Sequence, residues 1–522
     1  MKHIFKLMLA IISLFILVSC KTNNNLYDED NFLETGDKIV KEKITLKFFA
    51  PLHPLHHPDG YNAMRLFQKM EEITNIHIEW DYGPTQTYAE KKAIAIKNIK
   101  EYDGYFLWNT LKDQINLAQY DAIRPIDDLI DKYMPNYKEI LENNPELIKL
   151  AKLPNGKMYS PVAINDTPRD QTFKQFINQK WLDNLNLEMP ETIDEYYDVL
   201  KAFKNNDPNL NGINDEIPLS STRLGNLSSF IMSSFGYVST GIELNNNNEI
   251  TYVPTTNNYK EYLKFMIKLY EEGLLDNSYF TMNQSDLTAK GNRVGSFDGA
   301  AAYLVVSEKY DDDYTAIPPL TSDINPNKVW LGFHSNSPQT FMIPSHTPYY
   351  REIARWIDFL YSEKGRQLQA FGEEGKDWQW DDENQSSFTF NVPKGMNIES
   401  YRGRLTPSVG LGIVTYFDKD FVLKENNKII NNINNAVENA GYLDYLKIPM
   451  PVLNFTDSEN TELAIIQTDL DIYLDSFEER IISGKSEFND DIWEEHLSRL
   501  NRLKISRLIE IYNDALNRYN NS

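Results

Sequence analysis

The sequence runs to 522 residues with a formal net charge of −24, an apolar share of 41% and an aromatic share of 12%. That apolar content excludes a disordered chain, and the length exceeds the roughly 250–300 residues at which one hydrophobic core stops growing. The acidic balance argues against nucleic acid and anionic lipid as partners, and an anionic ligand would need a locally basic cleft.

Lys2 and Lys6 precede an apolar run, residues 7–18, broken only by Ser13. Basic, apolar and small segments in that order predict a secretory leader over residues 1–19, too short to span a bilayer as a mature anchor. It closes on Leu17-Val18-Ser19-Cys20, and Cys20 is the only cysteine of the chain. A lone exported thiol has no internal disulfide partner. The stretch resembles a bacterial lipobox, which implies acylation of Cys20 and cleavage before it. The expectation is an exported protein, on the extracellular or periplasmic face, held to the membrane through lipid alone; the alternative is an ordinary leader with an incidental cysteine. Residues 20–43 are polar and acidic, a flexible spacer. No later stretch approaches about 18 uninterrupted apolar residues.

Residues 44–49 then predict a first strand, and a prolyl loop through Pro51, Pro54, Pro58 and Gly60 follows. Met64, Phe67, Met70 and Ile73 recur at helical spacing over 61–74, and Ile76, Ile78 and Trp80 alternate as in a strand. A helix over 85–98 and a strand over 103–108 complete an α/β lobe with a largely parallel sheet. Further on, Thr192 and Glu195 form a capping box. Residues 259–273 and 349–365 each predict a helix ending at glycine, 300–306 (AAAYLVV) a buried strand, 314–317 another, and 490–518 one long charged helix. No repeat of 20–50 residues is present. The architecture expected is two α/β lobes with an extra helical C-terminus.

One local motif carries metal chemistry. Asp207, Asn209, Asn211, Ile213 (through its carbonyl) and Asp215 fall at positions 1, 3, 5, 7 and 9 of an EF-hand loop, with Gly212 at the sharply turning sixth. Position 12 is Pro218, so the bidentate glutamate is missing there; the alternative is an Asn/Asp-rich turn that needs no ion. His53, His56 and His57 invite a zinc reading with Asp59, but a prolyl loop leaves that geometry unset. No Gly-x-Ser-x-Gly elbow, His-Glu-x-x-His or phosphate loop occurs.

Several blocks stand in a shared order: Thr74-Asn-Ile-His-Ile-Glu-Trp80, Ile123-Arg-Pro-Ile-Asp-Asp-Leu-Ile130, Leu153-Pro-Asn-Gly-Lys-Met-Tyr159, Ile177-Asn-Gln-Lys-Trp-Leu-Asp183, 207–216, Arg355-Trp-Ile-Asp-Phe-Leu-Tyr-Ser362 and Gly372-Glu-Glu-Gly-Lys-Asp-Trp378. They resemble the extracellular solute-binding lipoproteins of carbohydrate ABC importers, in particular the large cluster that includes the alginate-oligosaccharide binders. The resemblance implies a two-lobed Venus-flytrap fold of type II with an enlarged C-terminal portion. It implies a monomer that makes no covalent change, closes on an oligosaccharide and delivers it to a permease. The lobes are expected at 44–162 with 316–365, and at 163–315 with 366–522. In that family Glu216 completes the cation site, so the implied structural Ca²⁺ ligands are Asp207, Asn209, Asn211, Ile213, Asp215 and Glu216.

Sugar rings stack their C–H faces on aromatics while their hydroxyls need polar partners, and ligands of parallel sheets sit beyond the strands' carboxyl ends. The candidates for ligand contact are therefore Trp108 and Asn109, Tyr159 at the first crossing, Trp330, Trp378, and the pair Arg402 and Arg404. A lipoprotein for peptides or another nutrient is the alternative. A secreted glycosidase or polysaccharide lyase is a further one, since paired carboxylates have no sequence spacing of their own.

Overall fold

The computed structural model describes residues 27–521 apart from 246, 339 and 413. The leader and Cys20 lie outside these residues, and among those described no helix is long and apolar enough to cross a membrane.

The first lobe is built on a four-stranded sheet in the order Phe341–Met342, Gly104–Phe106, Ile44–Leu52, Ile76–Pro84. The three N-terminal strands are parallel and the late one antiparallel. Phe48 faces Trp80 on one side and Gly104 on the other. Gly104 is required by packing, because a Cβ there would lie 2.4 Å from the Phe341 ring. The helix Arg65–Thr74 buries Leu66, Phe67 and Met70 and stops at Asn75, whose φ of 64° turns the chain left-handed. Phe48, Phe67, Phe106 and Trp356 meet in one aromatic core, Phe48 and Trp356 edge to face at 5.4 Å.

The second lobe carries a mixed sheet in the order Tyr314–Ala316, Lys174–Asn178, Val294–Gly299, Ile217–Leu219. Its helix Ile193–Asn205 starts at the predicted capping box: Thr192 accepts from the Glu195 amide and the Glu195 carboxylate accepts from Thr192. A helical C-terminus follows, Asp457–Ile482, Asp490–Arg502 and Ile505–Asn521. Phe477 and Ile481 pack into the second lobe's core, and Glu478 accepts from Tyr259 at 2.5 Å and from Arg223 at 2.7 Å.

Several expectations are corrected. Residues 300–306 are not a strand: the strand ends at Gly299 and Tyr303–Val306 is a short helix. The helix foreseen over 349–365 is two, Tyr350–Tyr361 and Glu363–Phe371, because Ser362 breaks the first and caps the second. The long charged helix is likewise interrupted, at Lys504 with φ 66°. The lobes also divide differently. Ile317, Leu320, Trp330 and Leu331 belong to the second lobe's core, so the return crossing lies near 332–340 rather than at 316. The segment after 366 leans on the first lobe: Arg65 pairs with Asp377 at 2.8 Å and the Leu66 amide donates to Leu405. Only from helix Lys428–Asn439 onward does the chain rejoin the second lobe.

Candidate functional site

The chain crosses between lobes at 163–173 and returns at 332–340, and the two segments are laced together. Ala163 bridges Ser337, the Asn165 amide donates to Asn336, and the Phe333 amide donates to Gln171. A third segment joins them where Tyr416–Phe417 pairs in parallel with Ile164–Asn165. Over these crossings lies a cleft of about 920 Å³ between the lobes. It exceeds a 500 Å³ pocket beside Arg124 on the first lobe and a 490 Å³ one against residues 449–455.

Sheet direction explains what lines it. The strand Ile44–Leu52 points its carboxyl end toward Leu55, and the strand Val294–Gly299 delivers Gly299 and, past a turn, Tyr303. The strand Lys174–Asn178 runs the opposite way and presents its amino end, Thr172 to Lys174. Asn226 is fixed at the rim because buried Asp298 accepts its amide at 2.6 Å and the Ser221 hydroxyl at 2.5 Å. From the C-terminal segment come Glu399, Arg402 and the turn Ser408–Gly412. Gly410 has φ +79°, and a Cβ there would lie 2.6 Å from the His53 ring.

The cleft joins apolar faces to a charged wall. Phe333, 38% exposed, and Tyr303 offer rings. Burial, reinforced by Glu399, pushes the Tyr303 hydroxyl up to about 12, so it stays a neutral donor. Arg402 is buried, with Nη1 at 3.3 Å from Glu399. Burial opposes its charge, but Glu425, Glu399 and Asp170 outweigh that and hold the guanidinium ionised. Burial lowers Arg169 and brings Lys174 down to about 8; the Lys174 ammonium donates to the carbonyls of Arg169 and Thr172. Burial also raises Glu425 against the pull of Arg402 and Arg169. Four buried atoms at or behind this wall lack a hydrogen-bond partner: Arg402 Nε, Arg169 Nη1 and both Glu425 oxygens.

The candidates from sequence divide sharply. Arg402 is in the cleft. Trp108 sits beside it, 38% exposed and donating from Nε1 to the Leu411 carbonyl at 2.9 Å. Asn109 is buried, its amide donating back to Tyr105. Tyr159 is buried in the first lobe, where its hydroxyl accepts from Asn155. Trp330 is a correction: fully buried, it stacks between Phe173 at 4.8 Å and Tyr442 at 4.1 Å. Trp378 is another, 1% exposed in a small core with Trp380, Phe388 and Phe421. Arg404 is exposed and does not line the cleft. Arg169, Tyr303, Phe333 and Glu399 were missed; an aromatic within three residues of Trp330 and the arginine at the lobe crossing were the available signals.

The loop 207–216 closes as an Asx-rich turn: Asp207 accepts the amides of Asn211 and Gly212, and Asn211 accepts that of Ile213. Asp215 accepts from the Asn211 side-chain amide at 3.0 Å. Glu216 turns inward with both oxygens buried and unpartnered. Burial first, then Asp215 and Asp207, push its carboxyl up. No three His, Cys, Asp or Glu side chains among the described residues are arranged to hold a metal. Calcium also takes amide and backbone oxygens, and Asn209, Asn211 and the Ile213 carbonyl carry such oxygens in this turn, where each accepts a backbone amide. The histidines do not converge. His56 Nδ1 accepts the His53 amide and its Nε2 donates to Val409 at 2.9 Å, leaving no nitrogen for an ion, while His57 faces Asp59.

Two lobes joined by laced crossings enclose a groove of rings and polar groups, the geometry of a ligand-binding cleft. The comparisons with known proteins are specific: the model of bacterial extracellular solute-binding proteins matches residues 54–367, and the chain belongs to that family. It is 32% identical over 385 residues, 70% of each chain, to the fructooligosaccharide ABC transporter substrate-binding protein FusA of Streptococcus pneumoniae. An EF-hand mutant of FusA in complex with fructo-nystose superposes with a TM-score of 0.76 at 25% identity, covering 91% of this chain and 99% of that one. Alginate-binding protein AlgQ2 without calcium ion shares the fold at 19% identity and a TM-score of 0.70, over 93% and 99% of the two chains. The expected two-lobed α/β solute-binding fold is the one observed.

Proposed function

We propose that this protein captures an oligosaccharide in the interlobe cleft by closing its lobes about the crossings at 163–173 and 332–340, and passes it unaltered to the permease of an ABC importer. The observation that carries this reading is the cleft itself, where the rings of Tyr303 and Phe333 face the charged wall of Arg169, Glu399 and Arg402. Rings match the C–H faces of sugars and the wall matches their hydroxyls. The kinship with FusA favours the same class of ligand. The protein works as a monomer, tethered outside the cytoplasm by lipid on Cys20. A structural calcium held by Asp207, Asn209, Asn211, Ile213, Asp215 and Glu216 supplies the positive charge that Glu216 lacks, and the named EF-hand of FusA supports it.

The test is ligand-dependent stabilisation. A panel of oligosaccharides in thermal denaturation is expected to contain at least one that raises the melting temperature, with the sugar recovered intact. Stabilisation by peptides and by no saccharide would replace this reading with a peptide-binding lipoprotein; loss of the sugar on incubation would replace it with an enzyme.

A further inference from the structure

The charges facing the cleft are balanced, and four of the six are already committed. Three cations line it, Arg169, Lys174 and Arg402, against three acids, Asp170, Glu308 and Glu399. Lys174 spends its ammonium on backbone carbonyls of the crossing segment. Arg402 is tied to Glu399 at 3.3 Å, and Asp170 holds the Asn165 side-chain amide at 3.0 Å. Glu425 stands behind both arginines. Arg169 has acids near it in Asp170 and Glu425, so the wall as a whole carries no net positive charge to receive an acid, and the whole chain carries −24. The buried atoms without partners at and behind the wall are of both kinds, donors on Arg169 and Arg402 and acceptors on Glu425, which stands outside the lining itself. A sugar hydroxyl donates and accepts at once, whereas a carboxylate only accepts.

We infer that this cleft selects uncharged oligosaccharides and rejects those carrying uronate or sialate groups, with Glu399 as the residue that sets the discrimination by neutralising Arg402. The inference rests on the oligosaccharide reading above and names its substrate class. A uronate entering beside Arg402 meets Glu399 and Asp170 at close range, and like-charge juxtaposition in a partly desolvated site is strongly unfavourable. With Gln at 399 the guanidinium loses its ion pair at 3.3 Å and keeps only the more remote charges of Glu425 and Asp170, so it turns partly toward an anion in the cleft.

The experiment is calorimetric titration of the full chain with neutral glucan, galactan and fructan trisaccharides and, at matched length, with trigalacturonate and a sialylated trisaccharide. At least one neutral sugar is expected to bind, and the anionic ones about 100-fold or more weakly than it. Glu399→Gln is expected to narrow that ratio by about tenfold, mainly through tighter binding of trigalacturonate, and added salt reverses the gain. Anionic sugars binding as well as neutral ones would overturn the inference and leave the oligosaccharide reading intact. An unchanged ratio in Glu399→Gln would remove Glu399 from it. Binding of no saccharide would sink both.

Discussion

The loop 207–216 and the wall of the cleft both have buried carboxylate oxygens without partners, on Glu216 and on Glu425, yet they differ in kind. Residues 207–216 gather Asp207, Asp215 and Glu216 within one turn with no basic side chain, and the donors they find are backbone and amide N–H groups. The cleft wall draws on the lobe crossing, the Tyr303 helix, the 397–412 segment and Glu425, and sets cation against anion. A surplus of one sign is relieved by an ion. On the inference above, a balanced wall suits a neutral molecule with many hydroxyls. Each expectation below breaks or sharpens that contrast.

The largest effect belongs to Arg402. Replacing it with Met strands Glu425 and Glu399 beside a buried apolar chain, and breaking such a cluster from one side costs about 3–5 kcal/mol. Urea denaturation should register that loss, together with the disappearance of saccharide binding. Pairing Arg402→Met with Glu425→Gln should return most of the stability and none of the affinity. A single variant as stable as the parent would mean the wall is not a balanced unit.

The next effect is pH dependence under the cleft. His56 sits beneath the Val409 turn, and burial lowers it from 6.5 to about 4. A depressed folded value means the stabilisation is present above 6.5 and is lost as the pH falls through 4, up to about 3 kcal/mol. Melting temperatures between pH 7 and 4 should fall on that account, and His56→Asn should flatten the slope. An unchanged slope would show that the turn is indifferent to the imidazole's charge.

The two regions also differ in how far the sequence reveals them. The Asx-rich turn at 207–216 was legible because its residues are consecutive and its geometry is local. The strand and helix order of the first lobe was legible from periodicity for the same reason. The cleft was not, because its members are distant in sequence and their exposure is decided by what packs on them. Trp378 lies in a glycine-rich turn suggestive of a rim, yet the hairpin Trp378–Trp380 with Phe388–Phe390 folds its own small core around it. Trp330 precedes the return crossing by a few residues and is sandwiched by Phe173 and Tyr442, the second over a hundred positions away. Tyr303 was hidden by periodicity itself: a short apolar run reads equally as strand or buried helix, and the strand had already ended at Gly299.

Calcium tests the loop side of the contrast. At a concentration of about 100 times its dissociation constant, a bound ion adds about 2.7 kcal/mol, so calcium should raise the melting temperature and a chelator should lower it. Asp207→Ala is expected to abolish the response while saccharide affinity in the chelated parent stays measurable, since loop and cleft share no residue. A calcium response that survives Asp207→Ala would move the ion elsewhere.

The smallest effect separates a ring that meets ligand from one that holds a core. Phe333 is 38% exposed over the cleft, and a stacking face is worth about 1 kcal/mol beyond area burial. Phe333→Ala should therefore weaken saccharide binding about fivefold at unchanged folding stability. Trp378→Phe does the converse: it leaves a cavity among Phe371, Phe388 and Phe421 and lowers the melting temperature, with the affinity of the folded protein preserved. Equal losses of affinity in both variants would show that the small core transmits to the cleft through the segment 397–412, and that the division between ligand-facing and packing aromatics is drawn in the wrong place.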